Sequence, residues 1–316
     1  MDFALLRDAF WGLTFDGLAL GAIYALISLG YTLVYGVLRL INFAHSEVFM
    51  IGTFSALVAS GIMGVKVEDD PRTGWGMVFT LLICLIAAML ASGITAVLVE
   101  IIAYRRLRQR GATKLATLIS AIGVSISLVE LFRIITDSLP REFPRIMDKT
   151  FLFSYAGADI RNDKVIVIIA AGLMMFALER FISKSRYGKG IRAVSMDENT
   201  ATLMGVNINK VITVTFLAGG MMAGAAAFFY ILVYENTSFK VGFFLGISAF
   251  TAAVLGGIGN LKGALFGGFM LGVLETWTSA VFGTAWKAVI SFLILVLVLL
   301  IKPTGLFGES IQQARV

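Results

Sequence analysis

The chain is poor in the residues from which soluble catalytic and metal sites are built. Its one cysteine, Cys84, sits in an apolar stretch, which excludes a disulfide scaffold, a cysteine-based zinc site and an iron–sulfur centre. Its one histidine, His45, cannot make a metal site by itself. Charged residues are only 15% of the 316, where a soluble domain carries about a quarter, so a water-facing enzyme is excluded. A hydrophobic content of 58% and a mean hydropathy of +0.89 exclude disorder by the same arithmetic. The phosphate-binding pattern G-x-x-x-x-G-K-[ST] is missing, so any energy from ATP must arrive through another chain. Paired aspartates, a second histidine and a serine in a nucleophile setting are missing too, which removes an intramembrane protease.

What is present is a series of long apolar runs. About 20 apolar residues at a 1.5 Å rise cross a hydrocarbon core of about 30 Å. Five runs are long enough outright: Gly17–Leu38, Val48–Val65, Thr73–Val99, Val211–Tyr234 and Val241–Leu261. Leu115–Ile135, Val165–Ile182, Gly263–Phe282 and Trp286–Ile301 are shorter or carry an internal charge. None alternates as an outer-membrane barrel strand would. The expected fold is therefore all-α, a polytopic integral membrane protein of about 8–10 transmembrane helices in one domain spanning residues 1–316. The four prolines lie outside the runs, so breaks and close contacts inside them fall to the 33 glycines.

Orientation is read from lysine and arginine in short loops. Arg105, Arg106, Arg108, Arg110 and Lys114 crowd one connection, and Lys184, Arg186, Lys189, Arg192 and Lys210 a second. Loops 104–114 and 183–210 and the tail 302–316 are expected in the cytoplasm, and loop 136–164, balanced in charge, outside. The net charge of +6 is thus spent on topology, and no nucleic acid partner is expected. Asp2 and Asp8 flank the start, where no secretory signal pattern is expected.

Gly17/Gly21, Gly220/Gly224, Gly259/Gly263/Gly267 and Gly268/Gly272 repeat at the four-residue spacing that lets helix backbones meet; ordinary helix packing is the first reading. A charge at membrane depth is costly. Asp16, Glu100, Glu179 and Arg180 lie near run ends and read as interfacial anchors, and Glu130 and Arg133 as an i,i+3 pair. Glu47 follows His45 at the start of the second run, and Glu275 interrupts its run in the middle and should face protein or water. In the second basic loop, Ala193–Met204 reads as one amphipathic helix, with Asp197, Glu198 and Asn199 in its first turns and Gly205 as its stop. It can lie on a lipid surface or dock into a partner, and its mixed charge favours docking.

Four separated segments, Gly17–His45, Arg186–Asn207, Ala249–Glu275 and Lys302–Gly308, together resemble the permease subunits of branched-chain amino-acid ABC importers over nearly the whole chain. Within that family the chain is similar to the shorter of two paired permeases, whose first helix ends in Asn-Phe-Ala-His; Ser46 stands where glycine usually follows. The resemblance implies a permease of the bacterial or archaeal plasma membrane. Its partners would be a second permease, two cytoplasmic ATPases that hold ATP and magnesium, and an extracytoplasmic binding protein. No cofactor would be bound by this chain. It implies a coupling helix in Arg186–Asn207, with Arg192, Ala193, Asp197, Glu198, Ala201, Met204 and Gly205 against an ATPase. It also implies a path or gate drawn from Asn42, His45, Thr251, Gly256, Gly257, Gly259, Asn260 and Glu275. A permease for urea, short amides or a sugar shares these features, and an ion-coupled secondary transporter using Glu275 is the alternative of another class.

Overall fold

The computed structural model describes residues 3–155 and 157–308; the last part of the expected tail, 309–316, lies outside the described residues. A short helix, Phe3–Asp8, precedes α1 (Phe10–Leu38), α2 (His45–Ile62), α3 (Gly74–Gln109), α4 (Lys114–Ile135) and α5 (Asn162–Lys184). The chain continues through two short helices, α6 (Arg186–Met196) and α7 (Glu198–Leu203), to α8 (Ile208–Tyr234), α9 (Val241–Gly256), α10 (Leu261–Phe282) and α11 (Lys287–Ile301). Among the described residues, eight helices are long and apolar enough to cross a membrane, and α9, of 16 residues, is shorter. The apolar runs thus locate the helices well, because twenty uncharged residues have no other way to satisfy their backbone in lipid.

The helix ends sort onto two sides. Arg39 donates to the Ser195 carbonyl (3.0 Å), Arg108 to Asn209 (2.6 Å), and Lys262 pairs with Glu179 (3.3 Å), which gathers the ends of α1, α3 and α5 and the starts of α8 and α10 at the basic side. On the opposite side Lys164 pairs with Asp16, Arg72 N–H donates to the Ile146 carbonyl (3.0 Å) and Phe143 N–H to the Glu235 carbonyl (3.0 Å). Helix α9 runs from that side, where its leading residue Thr237 pairs with Arg141, to the basic side, where Gly257 meets Gly308. Within the bundle it runs from one side to the other. About 24 Å of helix at 1.5 Å per residue suffices because Ser238–Lys240 lead into it without helix.

Helix α1 is the centre of the bundle: 94% of its apolar window is buried, against 11% for α4 and for the segment containing α11. Its glycines explain how it gets there. A Cβ on Gly17 would lie 2.6 Å from Val273 Cα and one on Gly21 2.7 Å from the Gly268 carbonyl oxygen, so α1 and α10 meet backbone to backbone. Gly220 and Gly224 of α8 meet Ser92, Ala88 and Met89 of α3 in the same way, and Gly263 and Gly267 of α10 meet Gly256 and Ala252 of α9. The packing reading is the observed one for these glycines, whereas Gly259, grouped with Gly263 and Gly267, lies in the turn before α10 at φ 102° with nothing within 4 Å of a would-be Cβ.

Two features are not given by the runs and charges alone. First, the loop between α4 and α5 is structured. It carries β1 (Arg141–Glu142), β2 (Phe151–Tyr155) and β3 (Ala158–Arg161), with β2 antiparallel to β3 and β1 antiparallel to β4 (Asn236–Thr237). Phe143, Ile146 and Met147 are buried beneath it. Glu235 fastens it through Lys149 (2.5 Å) and Arg145 (3.3 Å); burial pushes its carboxyl up, but the two cations outweigh that and hold it below the usual range. Second, Glu100 is no interfacial anchor. It is fully buried on a π-helical stretch, Glu100–Arg105, and bonds Arg105 (2.5 Å), with Arg108 at 3.7 Å. Position near a run end does not decide exposure when α8 packs over it, as the Arg105–Thr213 bond (2.7 Å) shows. Asp16, Glu179 and Arg180 are part-exposed near helix ends, and the Glu130–Arg133 pair forms at 2.7 Å on an exposed face.

Candidate functional site

After Leu38 the chain leaves the helix through Arg39 in the left-handed region (φ 51°) and folds back into the bundle as Ile41–Ala44 before α2 begins. Asn42 shapes this return: its Oδ1 accepts from Ala44 N–H (3.1 Å) and from the Tyr104 hydroxyl (3.0 Å). His45 is then packed against Gly30, where no side chain fits, with its ring edge-on to Tyr31 at 4.7 Å. Since Gly30 lies eight residues before the end of α1, α2 starts well inside the bundle. Irregular backbone at that depth is tolerated only where it is buried in protein or lines a cavity.

Both conditions hold here. A groove of about 840 Å³ opens on the side of the bundle between α4 and α9, with α1 and the return segment as its floor. Ile41, Phe43, Ile122, Ile126, Phe243 and Phe250 give it an apolar surface; Tyr31, Ser46 and Ser125 are uncharged polar points, and Glu130 and Lys240 also line it. Gly242 and Gly246 let α9 press directly on Ser46. Beside the groove, Glu47 is fully buried, accepting from the hydroxyls of Ser46 (3.2 Å) and Ser125 (3.3 Å) with one oxygen. Among the described residues, five buried side chains retain a polar atom without a partner, and four of them, Thr32, Asn42, His45 and Glu47, belong to α1 and this return.

The residues singled out from the sequence fall in different places. Asn42 and His45 build the return behind the groove wall without lining the groove, and Thr251 is buried on α9, its hydroxyl bonded to the Ile247 carbonyl (2.9 Å). Gly256, Gly257, Gly259 and Asn260 form the α9–α10 turn at the basic side. There Asn260 caps α10 through Gly263 N–H (3.1 Å) and donates to the Phe307 carbonyl (3.0 Å), while Leu306 and Phe307 N–H donate to the Leu255 and Gly256 carbonyls. This turn clasps the tail. Gly257, at φ 104° and hard against Gly308, can be no other residue. Glu275 faces protein, as expected: the Tyr24 hydroxyl donates to it at 3.0 Å and Ser291 at 2.9 Å, with Ser248 at 3.4 Å. A second cavity of about 330 Å³ adjoins it, reaching Lys287 and Thr284.

The basic-side elbow differs from the expected single helix. Asp197 breaks it into α6 and α7, being extended (φ −152°) and capping α7; bonds first from the Thr200 hydroxyl, then from the N–H groups of Thr200 and Asn199, hold its carboxyl below the usual range. Gly205 stops α7 at φ 81°, as its position indicated. Arg192, Asp197, Glu198, Met204 and Gly205 are exposed and Ala193 is half-buried, but Ala201 is turned into the chain itself, 4% exposed, so it offers no face to a partner. The exposed apolar residues are Met196, Leu203 and Met204, at 83%, 88% and 80%. Sequence reasoning missed the first two, for which apolar residues stranded in a polar loop were the available signal.

A bundle of membrane-length helices with a lateral groove and a structured polar elbow at one end is a polytopic membrane protein, and its relatives make it a transport subunit and not an enzyme. The chain belongs to the family described as branched-chain amino acid transport system / permease component, whose model matches residues 13–299. It is 39% identical to the high-affinity branched-chain amino acid transport system permease protein BraD of Pseudomonas aeruginosa over 93% of this chain and 94% of that one. It is also 39% identical to the permease protein LivH of Escherichia coli K12, with the same coverage. A fructose import permease, FrcC of Rhizobium meliloti, is 28% identical over 35% of this chain and 31% of its own length. Family membership implies ATPase partners and a partner permease in general terms.

Proposed function

We propose that the chain is the membrane-spanning permease subunit of an ATP-binding-cassette importer for branched-chain amino acids in a bacterial or archaeal plasma membrane. The observation that carries this reading is identity of 39% along nearly the whole of two such permeases, whereas the sugar permease is matched over a third of the chain. The apolar groove suits an aliphatic side chain, and its open side is where a second permease subunit completes the path. The elbow of α6 and α7 is the coupling segment, set against an ATPase that binds ATP and magnesium. The binding protein delivers from the side of β1 to β4. Gly256, Gly257, Gly259 and Asn260 serve the path from its basic end by fixing the tail, Glu275 by joining α9 to α1 and α11, and Thr251 from its buried place on α9.

Uptake of labelled leucine, valine, urea and fructose by cells with and without the chain is the test. Leucine and valine uptake should depend on it, and dependence of urea or fructose alone defeats the reading. The orientation is checked separately: cysteines at Ser138 and Thr113 are expected to react with an impermeant maleimide from opposite sides, Ser138 from outside. Reaction of both from one side overturns the topology.

A further inference from the structure

Four acids are buried among the described residues, and three have their charge answered. Glu100 holds Arg105, Asp163 holds Arg161 at 2.5 Å, and Glu275 receives hydroxyl hydrogens from three helices. Glu47 is different. It pairs with no cation, Oε1 takes both of its hydrogen bonds, and Oε2 has none although no solvent reaches it. Its place in the first turn of α2 puts it in the favourable field of a helix start, which explains tolerance of the charge but leaves the open oxygen unexplained. A buried carboxylate oxygen without a donor is a costly arrangement that a structure keeps when a donor arrives from elsewhere.

The surroundings say which donor. The two hydroxyls on Oε1 belong to Ser46 and Ser125, and both residues line the apolar groove, so the carboxylate lies one side chain behind the groove wall. Serine hydroxyls can donate or accept; the Ser46 hydroxyl also reaches the Phe43 carbonyl at 2.8 Å, so its proton is shared, and turning the Ser125 hydroxyl toward the groove frees Oε1 further. A primary ammonium entering there meets two hydroxyl acceptors, with the Glu47 carboxylate one side chain behind them, while Phe243, Phe250 and Ile122 surround what is attached to it.

We propose that Glu47, with Ser46 and Ser125, is the ammonium-binding point of the translocation path, selecting an α-amino acid over an oxo acid of the same side chain. This rests on the importer reading above. The group touches substrate transiently, so a weak site is sufficient, and Gly242 and Gly246 keep α9 close enough to hold Ser46 in place.

The test uses the whole transporter, with partner permease and ATPases, in proteoliposomes supplied with binding protein. Glu47→Gln is expected to lower leucine uptake at least tenfold with the ATPases still co-purifying; Glu47→Asp should recover part of the uptake. A second measurement needs no variant. Dicyclohexylcarbodiimide should label Glu47 in the wild-type complex, and leucine should protect it while 4-methyl-2-oxopentanoate should not. Wild-type uptake by Glu47→Gln, or equal protection by the oxo acid, overturns the proposal. If instead the wild-type complex takes up no leucine, the importer reading fails on its own account.

Discussion

Replacing Leu203 and Met204 together by aspartate is expected to leave the permease in the membrane at normal levels but without its ATPases, and to abolish uptake. The two side chains are 88% and 80% exposed at the end of α7, so the chain's own packing loses nothing when they change, and surface substitutions of that kind stay within about 0.5 kcal/mol. In a docked complex each apolar side chain contributes about 1.5–3 kcal/mol by leaving water. Losing both, and burying a charge in their place, costs roughly 3–6 kcal/mol per contact, a weakening of about 10² to 10⁴ in affinity. Co-purification of the ATPase subunits with the tagged permease is the measurement. Retained ATPases with normal uptake would return α6 and α7 to a solvated loop. Ala201→Trp is no substitute for this experiment. With Ala201 buried and its carbonyl accepting from Val206 N–H, tryptophan would disrupt the elbow itself and mimic uncoupling for a trivial reason.

The elbow also shows where sequence reading stops. That a helix lies near Ala193–Met204 follows from composition, and Gly205 as its stop follows from the left-handed backbone it adopts. That Asp197 ends one helix and starts another does not, because an aspartate reads equally as first-turn residue and as cap until the backbone is known. The spans were legible for a stronger reason: long uncharged runs admit one structure in lipid, and runs and helices agree at most ends within a few residues. Depth was not legible. Glu100 and Glu47 both sit at ends of apolar runs, yet both are fully buried, because α3 continues past its run and α2 begins inside the bundle. Asn42 and His45, expected in a path or gate, lie in the structure at the return segment that sets the groove wall. The neighbouring Glu47, two residues past His45, carries the open oxygen. Contacts across 78 residues, such as Glu47 to Ser125, leave no trace in a single sequence.

The largest effect in the fold itself is expected at Gly272. A Cβ there would run into Gly21 N and the Gly17 carbonyl, both backbone atoms of the central helix, so no rotamer change can relieve it. Gly268, one turn earlier on α10, already touches Ala25 in the same way, and Tyr24 on the adjoining turn of α1 bonds Glu275 across the interface. Leucine at 272 must therefore push α1 and α10 apart along several turns, unseating Glu275 and opening voids that lipid cannot fill. Overpacking costs about 1–3 kcal/mol where side chains can adjust. Here the backbone has to move, and the expected cost exceeds that range, against a total stability of about 5–15 kcal/mol for a typical domain. Gly272→Leu should give little or no folded permease after detergent extraction, read as loss of the monodisperse peak in size-exclusion chromatography of a fluorescent fusion. Gly123→Leu is the matched control: it lies in the middle of α4 with no atom within 4 Å of its would-be Cβ, and should elute like the wild type. Equal behaviour of the two variants would show that the α1–α10 contact tolerates separation and that α1 is not held at the centre by its glycines.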